Sequence, residues 1–389
     1  MELAGIQAAL RNQHIDAWLF FDHHRRDPLA YRVLGLDPGR EVTRRWYYLI
    51  PAEGEPKGLV HRIEPSVLNP APGEKSAYSS WRTQVEGLTR LVQGCRRVAM
   101  QYSPNCSIPY VAMVDAGTVE LVRSLGVEVV SSADLIQYFD ARWDEAKLAS
   151  HLEAGRRVDA IRREAFQQAG ERIRLGTPIT ERELAQFIRS RFTANGMVTD
   201  DMPIVGVNEN AANPHYEPPE QGSRRVQRGD LLLIDMWAKL DQPHSVYYDI
   251  TWTGVCGTQP PAEVQRVFEV VREARDRAIR RVQSAVEKGE LLCGFEVDDA
   301  ARTYITEEGF GEFFVHRTGH SIGEEVHGAG ANMDNLETHD ERRVIPWTCF
   351  SVEPGIYLRD FGIRLEVNVF VGEKEAQVTG EIQKELVLV

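Results

Sequence analysis

The apolar positions of the first third come in short runs. Ile15–Phe21 (IDAWLFF) is short and apolar enough for a buried strand, and Trp46–Ile50 (WYYLI) followed by Gly58–Ile63 across a Pro/Gly/Glu turn reads as a hairpin. Pro and Gly punctuation makes Asn69–Lys75 (NPAPGEK) a loop. Arg97–Met100 and Val127–Val130 are further strands, the second following a helix that ends near Gly126. Strands alternating with helices over these residues predict a small α/β domain, 1–142.

The period changes near Arg142. Leu148, Leu152, Val158, Ile161, Ala165, Ala169 and Ile173 recur at helical spacing from Asp144 to about Arg174, and Gly176-Thr177-Pro178 ends the run. Thr180 with Glu183 is a capping box that opens a second helix, closed near Gly196. Two more helices are expected from about Pro261 to Lys288 and from about Glu296 to Glu308. Asp230–Ala238, Val246–Thr253, Phe313–Thr318, Thr348–Tyr357, Gly362–Val371 and the closing ELVLV read as strands. Helices grouped against a largely antiparallel sheet make residues 143–389 an α+β domain.

Composition removes several functions. With 45 basic against 58 acidic residues the formal charge is -13, and no basic run carries interleaved aromatics, so nucleic-acid binding is not expected. The charge by itself serves solubility. No stretch approaches the ~18 apolar residues of a membrane span, and the N-terminus lacks a signal-peptide pattern, so a cytoplasmic location is expected by default. The five cysteines (Cys95, Cys106, Cys256, Cys293, Cys349) form no C-x-x-C pair, which argues against a disulfide framework and a thiolate zinc site.

The chemistry shows where the strand pattern is interrupted. Asp235 follows LLLI, Asp249 lies in YYDITWT, Glu353 in FSVEPGIY and Glu366 in GIRLEVNVF, with His320 in TGHSIG. Taken singly, an acidic residue in a strand is more often at a surface, and a lone His is more often structural. Taken together, four carboxylates buried in apolar strands cost several kcal/mol each unless they are paired or share cations. Oxygen donors with one imidazole and no sulfur suit divalent Mn, Co, Fe or Zn.

In order and context these segments resemble the pita-bread metallopeptidases, best the Xaa-Pro branch of aminopeptidase P and prolidase, whose members carry an N-terminal α/β domain. The resemblance implies a C-terminal pita-bread (creatinase/aminopeptidase-like) catalytic domain holding two divalent ions, manganese first, on Asp235, Asp249, His320, Glu353 and Glu366. It implies accessory histidines at His215 and His327, an aromatic and a basic residue at Tyr357 and Arg364, and a homodimer. The expected reaction is hydrolysis of an Xaa-Pro peptide bond, in a dipeptide or at a peptide N-terminus, by a metal-bridging hydroxide. Glu353 would move the proton, His327 and His215 would hydrogen-bond the substrate or the tetrahedral oxyanion, and Arg364 and Tyr357 would orient carboxylates.

Three departures from the family pattern stand near the expected substrate side: Trp252 for a basic residue, a spacing of 14 residues between Asp235 and Asp249 with Lys239–Ser245 as an inserted hairpin tip, and Gly328 after His327. They leave room for the alternative of a creatinase-like amidohydrolase of a small non-peptide metabolite. Gly319-His320-Ser321-Ile322-Gly323 also matches the G-x-S-x-G nucleophile elbow, though the βα units of that fold are missing before it.

Overall fold

The structure, a computed structural model, describes all 389 residues. The chain divides into two compact units, Met1–Asp140 and Ala141–Val389.

The first unit is built on one six-stranded sheet: β1 (Ala17–Asp22), β2 (Trp46–Pro51), β3 (Lys57–His61), β4 (Glu74–Tyr78), β5 (Arg97–Met100) and β6 (Glu128–Ser131), in the order β4-β3-β2-β1-β5-β6. The expected β2–β3 hairpin is antiparallel, whereas β1, β5 and β6 run parallel. Every residue of β1 is buried, as a parallel strand covered on both faces must be. Helices α1 (Leu3–Asn12), α2 (Pro28–Leu34), α3 (Trp81–Leu91), α4 (Ala116–Ser124) and the short α5 (Ala133–Ile136) complete the unit. The loop expected at Asn69–Lys75 ends early, because β4 starts at Glu74.

The second unit opens with α6 (Glu145–Arg174), capped by Asp144, and α7 (Glu181–Ala194). The capping box is present: Thr180 Oγ1 accepts from Glu183 N and Glu183 Oε2 accepts from Thr180 N, an arrangement stabilising a helix start by about 1 kcal/mol. Both helices cover a sheet of β7 (Met197–Val198), β8 (Ile204–Val207), β9 (Leu231–Leu240) and β10 (Tyr248–Val255). Leu152, expected on the buried face of α6, is instead exposed, while His151 and Gly155 face inward. The reason is steric: a Cβ at Gly155 would lie 2.7 Å from the Tyr248 ring, so only glycine lets α6 approach β10 this closely.

Helices α8 (Ala262–Lys288) and α9 (Gly294–Glu307) cover a second antiparallel sheet of β11 (Ser321–Ile322), β12 (Thr348–Val352), β15 (Val367–Val371) and β16 (Ala376–Thr379). Between them in sequence lies the ribbon β13 (Gly355–Tyr357) and β14 (Gly362–Arg364), and β17 (Val387–Leu388) adds to β10 in parallel.

Three strand expectations need correction. Thr348–Tyr357 and Gly362–Val371 are each two strands, broken at Glu353-Pro354 and at Leu365-Glu366. Phe313–Thr318 is not a strand. Arg302 of α9 donates to the carbonyls of Phe314 (3.0 Å) and His316 (2.7 Å), and Asp298 accepts from Thr318 N (2.8 Å), so helix side chains satisfy the backbone groups that a strand partner would have taken.

Candidate functional site

Strand pairing sets the first two carboxylates. Asp235 lies opposite Thr251 and Asp249 opposite Trp237 in the antiparallel β9–β10 pair. Side chains alternate along a strand, so Asp235, Asp249 and Thr251 share one face while Trp252 points to the other. Asn368 of β15 clamps the main chain of Asp249 from both ends, accepting from its N at 3.2 Å and donating to its O at 2.7 Å.

The remaining donors sit where strands stop. Glu353 follows β12, and its N donates to Thr318 O at 2.7 Å. Glu366 lies between β14 and β15, and its N donates to Thr251 O at 3.1 Å. Ser351 holds His320 twice, accepting at Oγ from His320 N (2.9 Å) and donating from N to His320 O (2.8 Å). Asp249, His320 and Glu366 each bring a ligand atom within 4.8 Å of the others. His320 Nε2 lies 3.6 Å from Asp249 Oδ2 and 3.4 Å from Glu353 Oε1.

Arg364 ties the rest together. It pairs with Asp235 Oδ2 and donates to Thr251 Oγ1 (3.0 Å), Tyr357 Oη (3.0 Å) and Pro214 O (3.3 Å). Thr251 in turn donates to Glu366 Oε2 at 2.8 Å. Seven of the nine residues singled out in the sequence thus form one connected network: Asp235, Asp249, His320, Glu353, Glu366, Tyr357 and Arg364. His327 stands against it, its ring perpendicular to that of His320 at 4.4 Å. His215 is exposed on a turn, its ring without a hydrogen bond, within electrostatic range of Asp235 and His327.

The electrostatics are those of a site short of positive charge. Burial, then the neighbouring carboxylates, push Asp249 and Glu366 well above the usual carboxylate range. Burial also raises Asp235, and raises Glu353 to about 7, with Arg364 opposing both shifts. Asp249 Oδ1 and Glu366 Oε1 are buried without any hydrogen-bond partner, an arrangement that costs free energy unless something else bonds them. Burial, with His327 and Arg317 adding to it, holds His320 well below its ordinary value, so the imidazole is neutral and can ligate. This donor set fits hard-to-borderline divalent cations.

One histidine that the sequence reading passed over belongs here. His316 Nε2 lies 2.7 Å from Tyr357 Oη, and burial, with Arg364 next, lowers its pKa to about 3. Its signal was its place four residues before His320, on a segment taken for an ordinary strand. Glu181, buried at the start of α7, was also passed over, since an acidic residue in a first helical turn normally faces solvent.

The departures prove to be packing features. Trp252 lies on the outer face of β10 under the Arg162 guanidinium, 3.4 Å from the ring centroid, so it does not border the carboxylates. At Gly328 a Cβ would come within 2.9 Å of Ser321 Oγ, leaving no room for an acidic side chain. The turn after β9 brings His244 to 3.3 Å from Glu324, and Lys147 pairs with the same carboxylate at 2.9 Å. Ser321 is no nucleophile elbow: it lies on a two-residue strand, buried, its Oγ accepting from Gly330 N at 3.0 Å.

A family model, metallopeptidase family M24, matches residues 150–373, the stretch holding all five candidate ligands. The chain belongs to metallopeptidase family M24. Among the family's curated members it is 32% identical over 237 residues to an Xaa-Pro dipeptidase of Lactobacillus delbrueckii subsp. lactis, covering 60% of this chain and 58% of that one. It is 31% identical over 209 residues to an Xaa-Pro dipeptidase of Pyrococcus furiosus, covering 53% and 55%. The chain thus spans little more than half the length of these two relatives. A probable dipeptidase PepE of Mycobacterium tuberculosis matches more of the chain, 88% against 84% of its own, at 26% identity. Two solved structures share the fold over the full chain: dipeptidase PepE from Mycobacterium ulcerans (TM-score 0.75, 22% identity, 97% of that chain) and a dipeptidase from Pyrococcus horikoshii OT3 (TM-score 0.69, 25% identity, 100% of that chain). The α+β pita-bread architecture with a smaller α/β part before it is also the fold of a solved prolidase from Thermococcus sibiricus (TM-score 0.69, 23% identity, 98% of that chain).

Proposed function

We propose that this chain is a dinuclear metallopeptidase that cleaves the bond preceding proline in short peptides, dipeptides foremost. The observation carrying this reading is the convergence of three buried carboxylates, the half-buried Glu353 and a neutral imidazole, with Asp249 Oδ1 and Glu366 Oε1 unbonded. Asp235, Asp249, His320, Glu353 and Glu366 would hold two divalent ions, manganese first among Mn, Co, Zn and Fe. Bound there, the ions would supply Lewis-acid polarisation of a carbonyl and lower the pKa of water to roughly 7.

The chain's own groups do the rest. Glu353 takes the proton from the attacking water and passes it to the leaving nitrogen; its Oε1 is held by Ser351 Oγ at 3.1 Å. His327, kept neutral by burial with a pKa near 4, has a ring N–H to offer the developing oxyanion. His215 offers a second donor from its turn. Arg364 opposes the burial that raises Asp235 and aligns its carboxylate, and Tyr357 with His316 fixes the Arg364 fork. Arg317 lies close enough to bear electrostatically on Glu353, His320 and His327. The names of the Xaa-Pro dipeptidase relatives support proline preference. With Trp252 turned outward, the creatinase-like alternative loses its main motive.

The test is metal content of the purified protein, with hydrolysis of an Xaa-Pro dipeptide and an Xaa-Pro tripeptide before and after chelation. About two ions per chain and chelator-sensitive dipeptide cleavage are expected. Two ions without peptide cleavage would return the search to other amides, and no binding after reconstitution would refute the site. Oligomeric state, expected to be a homodimer, is read from the same preparation by light scattering.

A further inference from the structure

We propose that Glu181 is the positioning residue of the loop that carries His215. Its side chain is fully buried, yet its carboxylate reaches no cation and no candidate ligand. Instead it gathers donors from one distant segment. Oε1 accepts from Val207 N (2.8 Å) and Asn210 Nδ2 (2.9 Å), and Oε2 accepts from Tyr216 Oη (2.7 Å). Asn210 Nδ2 also donates to Tyr216 Oη at 3.0 Å, closing the set. Placement at the start of α7 favours a negative charge there, because the helix dipole is positive at that end.

The loop so held is constrained all along its length. Asn208 sits at φ 51, a left-handed conformation that asparagine adopts more readily than other side chains. Its amide fixes it there, donating to Asp230 Oδ1 at 2.7 Å and accepting from Leu231 N at 2.8 Å. Gly362 lets the loop press against β14: a Cβ there would lie 2.1 Å from Ala211 O. Pro214 O takes the Arg364 bond already described. Anchors thus precede and follow His215, whose exposed ring makes no hydrogen bond.

A stabilising role would need only that the loop be folded. The convergence of Asn210 and Tyr216 on one carboxylate fixes where the turn between them projects, which is the property a substrate-contacting imidazole needs. Displacement by 1 Å can cost about 10²-fold in rate.

This inference rests on the peptidase reading and on His215 acting in turnover, so the test is a double-mutant cycle with an Xaa-Pro dipeptide. Glu181→Gln presents an NH₂ where a donor now binds; kcat is expected to fall about tenfold or more, with KM and bound metal unchanged within a small factor. In the His215→Ala background the same substitution is expected to change kcat less than about twofold. Tyr216→Phe, which removes one donor and adds no clash, keeps the test alive if Glu181→Gln fails to fold, and should show the same coupling at smaller size. Equal losses in both backgrounds would make Glu181 merely structural and overturn the inference while His215 keeps its role. A wild-type rate in Glu181→Gln and Tyr216→Phe would overturn it outright. A wild-type rate in His215→Ala would instead refute the assignment of His215, and the inference with it.

Discussion

Gly319 and Gly323 flank His320 in one pentapeptide, and the structure gives them opposite tolerance to a methyl group. A Cβ on Gly319 would lie 1.9 Å from Ser351 O, about 1.1 Å inside the 3.0 Å limit that real Cβ atoms respect. The obstacle is backbone on the strand that also binds His320 N and O through Ser351, so relief must move His320 or β12. Such overpacking costs about 1–3 kcal/mol, and a displacement near 1 Å at a catalytic centre costs about 10²-fold. A Cβ on Gly323 meets nothing nearer than 3.9 Å, and its backbone is not left-handed. Gly319→Ala should therefore lose bound metal and at least about 10²-fold in kcat/KM, with a lowered melting temperature, while Gly323→Ala stays within about twofold on every readout. The assays are metal content per chain, dipeptide hydrolysis and thermal unfolding. Full metal occupancy and activity in Gly319→Ala would refute the packing argument, and equal damage in both variants would show that the segment tolerates no substitution for another reason.

Glu366→Ala should abolish metal-dependent turnover while the chain stays folded; unchanged metal stoichiometry with full activity would remove Glu366 from the site. Ser321→Ala should retain activity within about twofold, and its complete loss would revive the serine reading. His151 is wholly buried between Tyr247 O and Thr379 Oγ1, and burial lowers its pKa to about 4. The unfolded chain therefore takes up this proton first as pH falls, so stability is level above about pH 6.5 and declines down to about pH 4, by about 2 kcal/mol between pH 7 and pH 5. Urea titrations at both pH values should show His151→Gln reducing that difference by this amount, and an unchanged difference would refute it.

The candidate ligands were legible because each acidic residue breaks an apolar strand run, which physical chemistry tolerates only for a reason. Pro354-Gly355 directly after Glu353 does mark a strand end, but the break at Glu366 was not legible: apolar residues continue on both sides of it, and nothing local says that β14 and β15 belong to different sheets. Phe313–Thr318 misled for a related reason: its backbone partners are Arg302 and Asp298, two side chains of a helix, invisible to a period-2 pattern. The outward face of Trp252 could have been read, since it is an odd step from both Asp249 and Thr251. Glu181 could not, because its partners Asn210 and Tyr216 lie about thirty residues downstream in a loop without periodicity.

The main chains of three candidate donors are tied to neighbouring residues: Glu366 N to Thr251 O, Glu353 N to Thr318 O, and His320 N and O to Ser351 Oγ and N. Mechanically this makes the ring of donors stiff at its Cα atoms and compliant only through side-chain torsions. Aspartate has two such torsions and glutamate three, so an ion of larger radius bound there would be met chiefly by Glu353 and Glu366. Exchange of one divalent ion for another should then shift turnover mainly through the glutamates, with the β9–β10 pair acting as the stiffer wall of the gauge.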